Sequence, residues 1–148
     1  MIIKAKTISQ FNSDFINKNE ELIIQNSFID LLDFSNVEFK YNVKICQCII
    51  GELKLNATWF IEGFELVNCI IQNQIQFEMG GHNKHPITIE NNIFMNLFVF
   101  YDCWFMSDIY VNHNVFLKGC TLKNSYNTFD SVLDCFGNIG DMGVMRMD

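Results

Sequence analysis

Ile87-Thr88-Ile89-Glu90-Asn91-Asn92-Ile93-Phe94 is followed by Phe98-Val99-Phe100…Trp104-Phe105 and by Ile109-Tyr110-Val111…Val115-Phe116. Each stretch reads apolar, any, apolar, a few polar residues, then an apolar pair. Earlier in the chain, Phe64-Glu65-Leu66…Ile70-Ile71 repeats the pattern. The first apolar position falls at Leu22, Leu32, Val43, Leu53, Phe64, Ile75, Ile87, Phe98, Ile109 and Cys120, in steps of ten to twelve residues. A fixed short period held over most of a chain marks a solenoid, in which each unit buries its apolar face only against its neighbours.

Within a unit the period is 2, which places alternate side chains on opposite faces of a strand. The apolar columns are rich in β-branched and aromatic residues, which suit strands. Eleven residues are too few to enclose Phe and Ile side chains, so two units, about 22 residues, are expected to close one coil. The fold class that follows is all-β: a right-handed parallel β-helix of about five coils, formed as one domain over 1–148. Residues 22–136 carry the repeats, 137–148 an irregular Gly-rich tail, and 1–21 a cap. Ile8, Phe11, Phe15 and Ile16 share one helical face, so Thr7 to Asn19 is expected to form a short capping helix. Inward positions are assigned to Phe60, Leu66, Ile71, Ile89, Phe94, Phe100, Phe105, Val111 and Phe116.

Composition narrows the functional classes. The 148 residues carry a formal charge of −7, 49% apolar residues, fifteen Phe and one Pro. The single Arg is Arg146. Without a basic stripe a direct nucleic-acid binder is not expected. No stretch of about eighteen uncharged apolar residues suggests a membrane span. Met1-Ile2-Ile3-Lys4 does not resemble an export signal, so a cytoplasmic location is expected. The six cysteines show no metal-ligand spacing, and Cys46-Gln47-Cys48 has no matching second pair. They are expected to be free and structural, with Cys48 above Cys69 in adjacent coils.

Ile87 to Phe94 and Phe64-Glu65-Leu66-Val67-Asn68-Cys69-Ile70-Ile71 resemble the repeat of right-handed parallel β-helices of the pectate-lyase-like type. The likeness covers roughly residues 22–136. It implies fold and leaves function open, because enzymes and adhesins share it. The lyases of that group imply a basic Arg and acidic calcium ligands, and the repeat region has no Arg. A second resemblance is to a degenerate pentapeptide-repeat protein. Inner positions also step by about five, through Phe34, Phe39, Ile45, Ile50, Leu55, Phe60, Leu66 and Ile71. Val37, Cys48, Thr58, Cys69 and Cys103 sit two before several of them. Phe64, Ile87, Phe98 and Ile109 depart from that pattern, being large where a tight square coil expects small residues.

Asn26, Gln47, Asn68, Asn91 and His113 recur once per coil. Asn tolerates the left-handed conformation that a bend needs, so this column is read as structural. Met79-Gly80-Gly81-His82-Asn83-Lys84-His85-Pro86 breaks the repeat and carries two of the three histidines. Loops on a rigid scaffold often bear function, so His82 and His85 are candidate binding residues. No Cys or carboxylate nearby completes a metal set, and neither metal nor cofactor is expected. Asp102, Asp108 and Asp130 lie in different units, and Glu65 and Glu90 occupy different pleat positions, so no catalytic residues are assigned.

The outward pleat is unexpectedly apolar. Phe28, Ile49, Ile70, Ile93 and Val115 are expected to stack in one outward column, and Trp59, Trp104 and Tyr126, with Gly81 between, in another. Exposed apolar patches mark interaction surfaces. The leading expectation is therefore a non-catalytic solenoid that binds a protein or forms a homodimer. The alternatives are a carbohydrate-binding or carbohydrate-cleaving β-helix using Trp59 and Trp104 as stacking platforms, and an acidic inhibitor imitating nucleic acid.

Overall fold

The computed structural model describes residues 1–17 and 19–145. The chain winds as an all-β parallel solenoid of about six turns, with coils of about 21 residues. One sheet stacks Ile2–Lys4, Leu22–Gln25, Val43–Cys46, Phe64–Val67, Ile87–Glu90, Ile109–Asn112 and Leu133–Asp134, all in parallel register. Ile2, Ile23, Lys44, Glu65, Thr88, Tyr110 and Asp134 form one column of it, separated by 21, 21, 21, 23, 22 and 24 residues.

A second sheet stacks Thr7–Phe11, Phe28–Asp33 and Ile49–Lys54 as continuous strands. Above them it divides. Ile70–Ile71, Ile93–Phe94 and Val115–Phe116 continue one half, while Ile75–Glu78 and Phe98–Tyr101 continue the other. The division follows an added residue. Two residues separate Ile50 from Leu53, but three separate Ile71 from Ile75 and Phe94 from Phe98. A third ladder pairs Glu38–Phe39 with Trp59–Phe60 and Trp104–Phe105 with Thr128–Phe129, and Gly81 bridges Trp59 to Trp104.

The expected capping helix does not form, and no α-helix is present among the described residues. Thr7–Phe11 is a strand paired in parallel with Phe28 to Leu32, followed by a three-residue turn of 3-10 helix, Ser13–Phe15. Asn12 caps that turn through its side chain, which accepts from the Asp14 N–H at 3.0 Å. Residues 1–21 are thus a coil in their own right, which accounts for six turns rather than five. A neighbouring strand edge offers five residues a hydrogen-bonded template, whereas a short isolated helix is marginal. Lys18, inside the expected helix, and residues 146–148 of the tail lie outside the described residues.

Inward side chains form the core. In the coil from Val43 they are Val43, Ile45, Cys48, Ile50, Leu53, Leu55, Thr58 and Phe60, each at most 2% exposed. The nine inward positions assigned from sequence are likewise exposed by 2% or less. Phe64, Ile87, Phe98 and Ile109 are buried too, so the interior accepts large residues there. Stacked rings supply much of the filling: Phe39 lies over Phe60 with centroids 5.4 Å apart, and Phe94 over Phe116 at 5.0 Å. Each ring taken from water contributes roughly 1.5–3 kcal/mol.

Asn26, Gln47, Asn68, Asn91 and His113 all sit at positive φ, between 51° and 57°. The bend reading of that column therefore holds. Its rungs join through backbone, as in Gln47 N–H to Val67 C=O at 3.1 Å and Asn68 N–H to Glu90 C=O at 3.1 Å.

Candidate functional site

Register makes the outward aliphatic column a single line. Phe28 pairs with Ile49, Ile49 with Ile70, Ile70 with Ile93 and Ile93 with Val115. Phe28, Ile49 and Ile93 are 37–40% exposed, while Ile70 and Val115 are half-buried. A bridge from Val115 to Ile139 extends the line by one more apolar residue, which is exposed. All five expected residues thus meet on one face. The line borders the exposed bend residues Asn26, Gln47, Asn68 and Asn91.

The aromatic column is different. Trp59, Gly81 and Trp104 are aligned, but the residue above Trp104 is Thr128. Tyr126 leaves the column and packs on Tyr101, with ring centroids 5.0 Å apart. The coil that starts at Ile109 runs 24 residues to Leu133, and its added length displaces Tyr126.

His82 fills the gap above Gly81. It stacks on Trp59 with centroids 3.9 Å apart and planes 19° apart, and meets Trp104 edge-on at 5.2 Å. The cause lies inside the coil. Gly81 and His82 both take positive φ, unlike Trp59 and Phe60 at the matching places of the coil below, and this turns the His82 ring outward. No ring then enters the interior from this stretch. Phe77 occupies the space instead, edge-on to Phe60 and to Phe105, both at 6.1 Å. A side chain at Gly80 would collide with it, since a Cβ there would lie 2.0 Å from the Phe77 ring. Burial holds the His82 imidazole below its ordinary range, and Glu38 pulls weakly upward.

Both indole N–H groups are committed. Trp59 donates to the Met79 carbonyl at 3.1 Å and Trp104 to Asp130 Oδ2 at 2.6 Å. His85 turns away from His82 and pairs with Glu62, Nε2 to Oε2 at 3.0 Å. The two histidines therefore do not converge. Among the described residues no group of three or more His, Cys, Asp or Glu is placed to hold a metal ion. No helix there is long and apolar enough to cross a membrane.

All six cysteines are free. Cys48 and Cys69 stack in adjacent coils, and the hydrogen bond between them pulls Cys48 down to about 7. That bond and burial push Cys69 up. Burial, helped by the nearby charges of Asp102 and Glu78 at Cys103 and of Asp141 at Cys120, lifts both thiols to about 12, which leaves them inert.

Sequence reasoning missed the continuation of the thiol column. Above Cys69 it carries Asn92, Asn114 and Asn138. Asn92 Oδ1 accepts from the Cys69 N–H at 2.8 Å, and Asn114 Oδ1 accepts from the Asn92 N–H at 3.0 Å. Asn138 Oδ1 accepts from the Asn114 N–H at 2.9 Å, while each amide Nδ2 donates to a carbonyl: Leu66, Ile89 and Val111. Asn92 and Asn114 are buried at 1% and 0% exposure, so these bonds support the fold and leave nothing for a ligand. Adjacent bend residues Asn91 and His113 mask the pattern in sequence.

No family model, no curated protein and no solved structure matches this chain.

Proposed function

We propose that the protein is a non-catalytic solenoid that self-associates side to side through Phe28, Ile49, Ile70, Ile93 and Val115. The observation that carries this reading is the unbroken register of that line, with Ile139 continuing it. Rungs about 4.8 Å apart make the six side chains a strip about 24 Å long. A two-fold axis across the middle of such a strip lays it on its own copy, the simplest closed way to cover it. The flanking Asn and Gln side chains supply polar groups for the rim of that contact.

Sedimentation velocity over a concentration series tests this. A reversible dimer is expected for the native chain, and a folded monomer for the Ile49→Asp, Ile93→Asp double variant, with circular dichroism unchanged. A native chain that stays monomeric throughout overturns the reading.

The coil itself supports the pentapeptide-like winding over the wider pectate-lyase-like one. Inward residues come in pairs two apart, and the pairs recur every five residues, four to the coil from Val43. Right-handed winding rests on the strong preference of parallel crossovers for that hand. Two rival functions lose ground. A sugar-stacking platform needs a continuous row of aromatic faces, yet His82 sits between Trp59 and Trp104 and Tyr126 is out of line. An imitation of nucleic acid needs a continuous acidic face, yet the outward column Ile23, Lys44, Glu65, Thr88, Tyr110 mixes both signs with neutral residues.

A further inference from the structure

On the third ladder, away from the apolar line, one side of Trp59 remains open. His82 covers the indole from the coil above. Beside it lies a recess of about 360 Å3, walled by Asn36, Val37 and Glu38 of the coil below, Ala57 and Trp59 of its own coil, and Met79 of the coil above. Glu38 is the direct register partner of Trp59, one rung away, so carboxylate and ring border the same opening. Glu38 has no ion-pair partner among the described residues. The other walls are mostly apolar, and Met79 is 53% exposed.

The bond from the Trp59 indole N–H to the Met79 carbonyl fixes the ring and removes its donor. The recess then offers an aromatic face, methyl and thioether walls, and one negative charge. That set attracts an organic cation, because the ring face is the negative end of its quadrupole. We propose that this recess binds an alkylated ammonium group, with Trp59 supplying the face and Glu38 the counter-charge. A primary ammonium is compact and strongly hydrated, and apolar walls give it nothing in exchange for its water. Alkyl groups on the nitrogen suit those walls. The overall charge of −7 favours the approach of cations.

The test is a titration of the full chain with choline, followed by heteronuclear NMR of the two indole N–H signals, assigned through a Trp104→Phe variant. A saturable shift of the Trp59 signal is expected. The neutral analogue with carbon in place of nitrogen should bind at least about fivefold more weakly, as should choline to the Glu38→Gln variant. Glu38 is exposed, so that variant keeps the fold, checked by circular dichroism. A trimethyllysine peptide that binds more tightly than choline assigns the cation to a protein partner, and the reverse order assigns it to a free small molecule. Either order upholds the proposal. Equal binding of choline and its neutral analogue overturns it, and so does the lack of a saturable Trp59 shift.

Discussion

The coil from Val43 to Gly63 and the coil from Phe64 to Pro86 sit one on the other and solve the same packing problem differently. The first closes with Phe60 pointing inward. The second has Gly80 at the position matching Thr58 and sends His82 outward, so no ring enters from that side. Its compensation is one column back, where Leu55 of the lower coil is matched by Phe77 of the upper. The Phe77 ring crosses into the space and packs on Phe60 and Phe105. Neighbouring coils thus keep the interior filled without keeping the residue at each position. That latitude freed His82 to build the outward stack.

Phe77→Ala probes this comparison hardest. It removes the ring from its own place and from the place the loop vacated, and should cost about 3–5 kcal/mol in chemical denaturation. Leu55→Ala, in the regular coil, should cost less. Equal losses would break the compensation argument. Gly80→Ala pushes a methyl against the Phe77 ring and should cost about 1–3 kcal/mol by overpacking. Combining it with Phe77→Leu should recover part of that loss, because the two sites share one space.

Asn114→Ala strips the Asn92 N–H of its acceptor and the Ile89 carbonyl of a donor, for about 1–3 kcal/mol. Cys48→Ala, lower in the same column, leaves no strong hydrogen-bonding group unpaired and should cost less in the same unfolding assay.

The smallest effect concerns His82. Burial lowers its folded pKa, so the unfolded chain takes up the proton first as pH falls. Its contribution is therefore complete above the ordinary histidine value of 6.5 and is lost as pH falls from there through the lowered folded value. Denaturation midpoints at neutral and mildly acidic pH should drop more for the native chain than for His82→Gln.

The core was legible because alternation exposes it: Leu66, Phe100 and Val111 could be placed from period alone. The N-terminus was not, since Ile8, Phe11, Phe15 and Ile16 satisfy a helical period equally well. Only the strand edge at Phe28 to Leu32 decides between the two, and that edge is contributed from outside the segment. The apolar line was readable because the coils beneath it differ by at most two residues between Phe28 and Val115. Tyr126 was misplaced because its coil is longer. The His82 stack depends on backbone sign at Gly81 and His82, which side-chain pattern does not encode.

Each coil touches only the coil above and the coil below. Under a steady pull applied to the two termini, the molecule should therefore lengthen in steps of one coil, beginning at an end. Among the described residues the first and last coils have a neighbour on one side alone, and in this chain hydrogen exchange should be fastest there. The slowest amides should lie in the middle coils, around Leu66 and Ile89, where every rung is held from both sides. The strip from Phe28 to Val115 would then behave as a spring clamped along its length: a second copy seated on it ties coils that otherwise come apart one at a time.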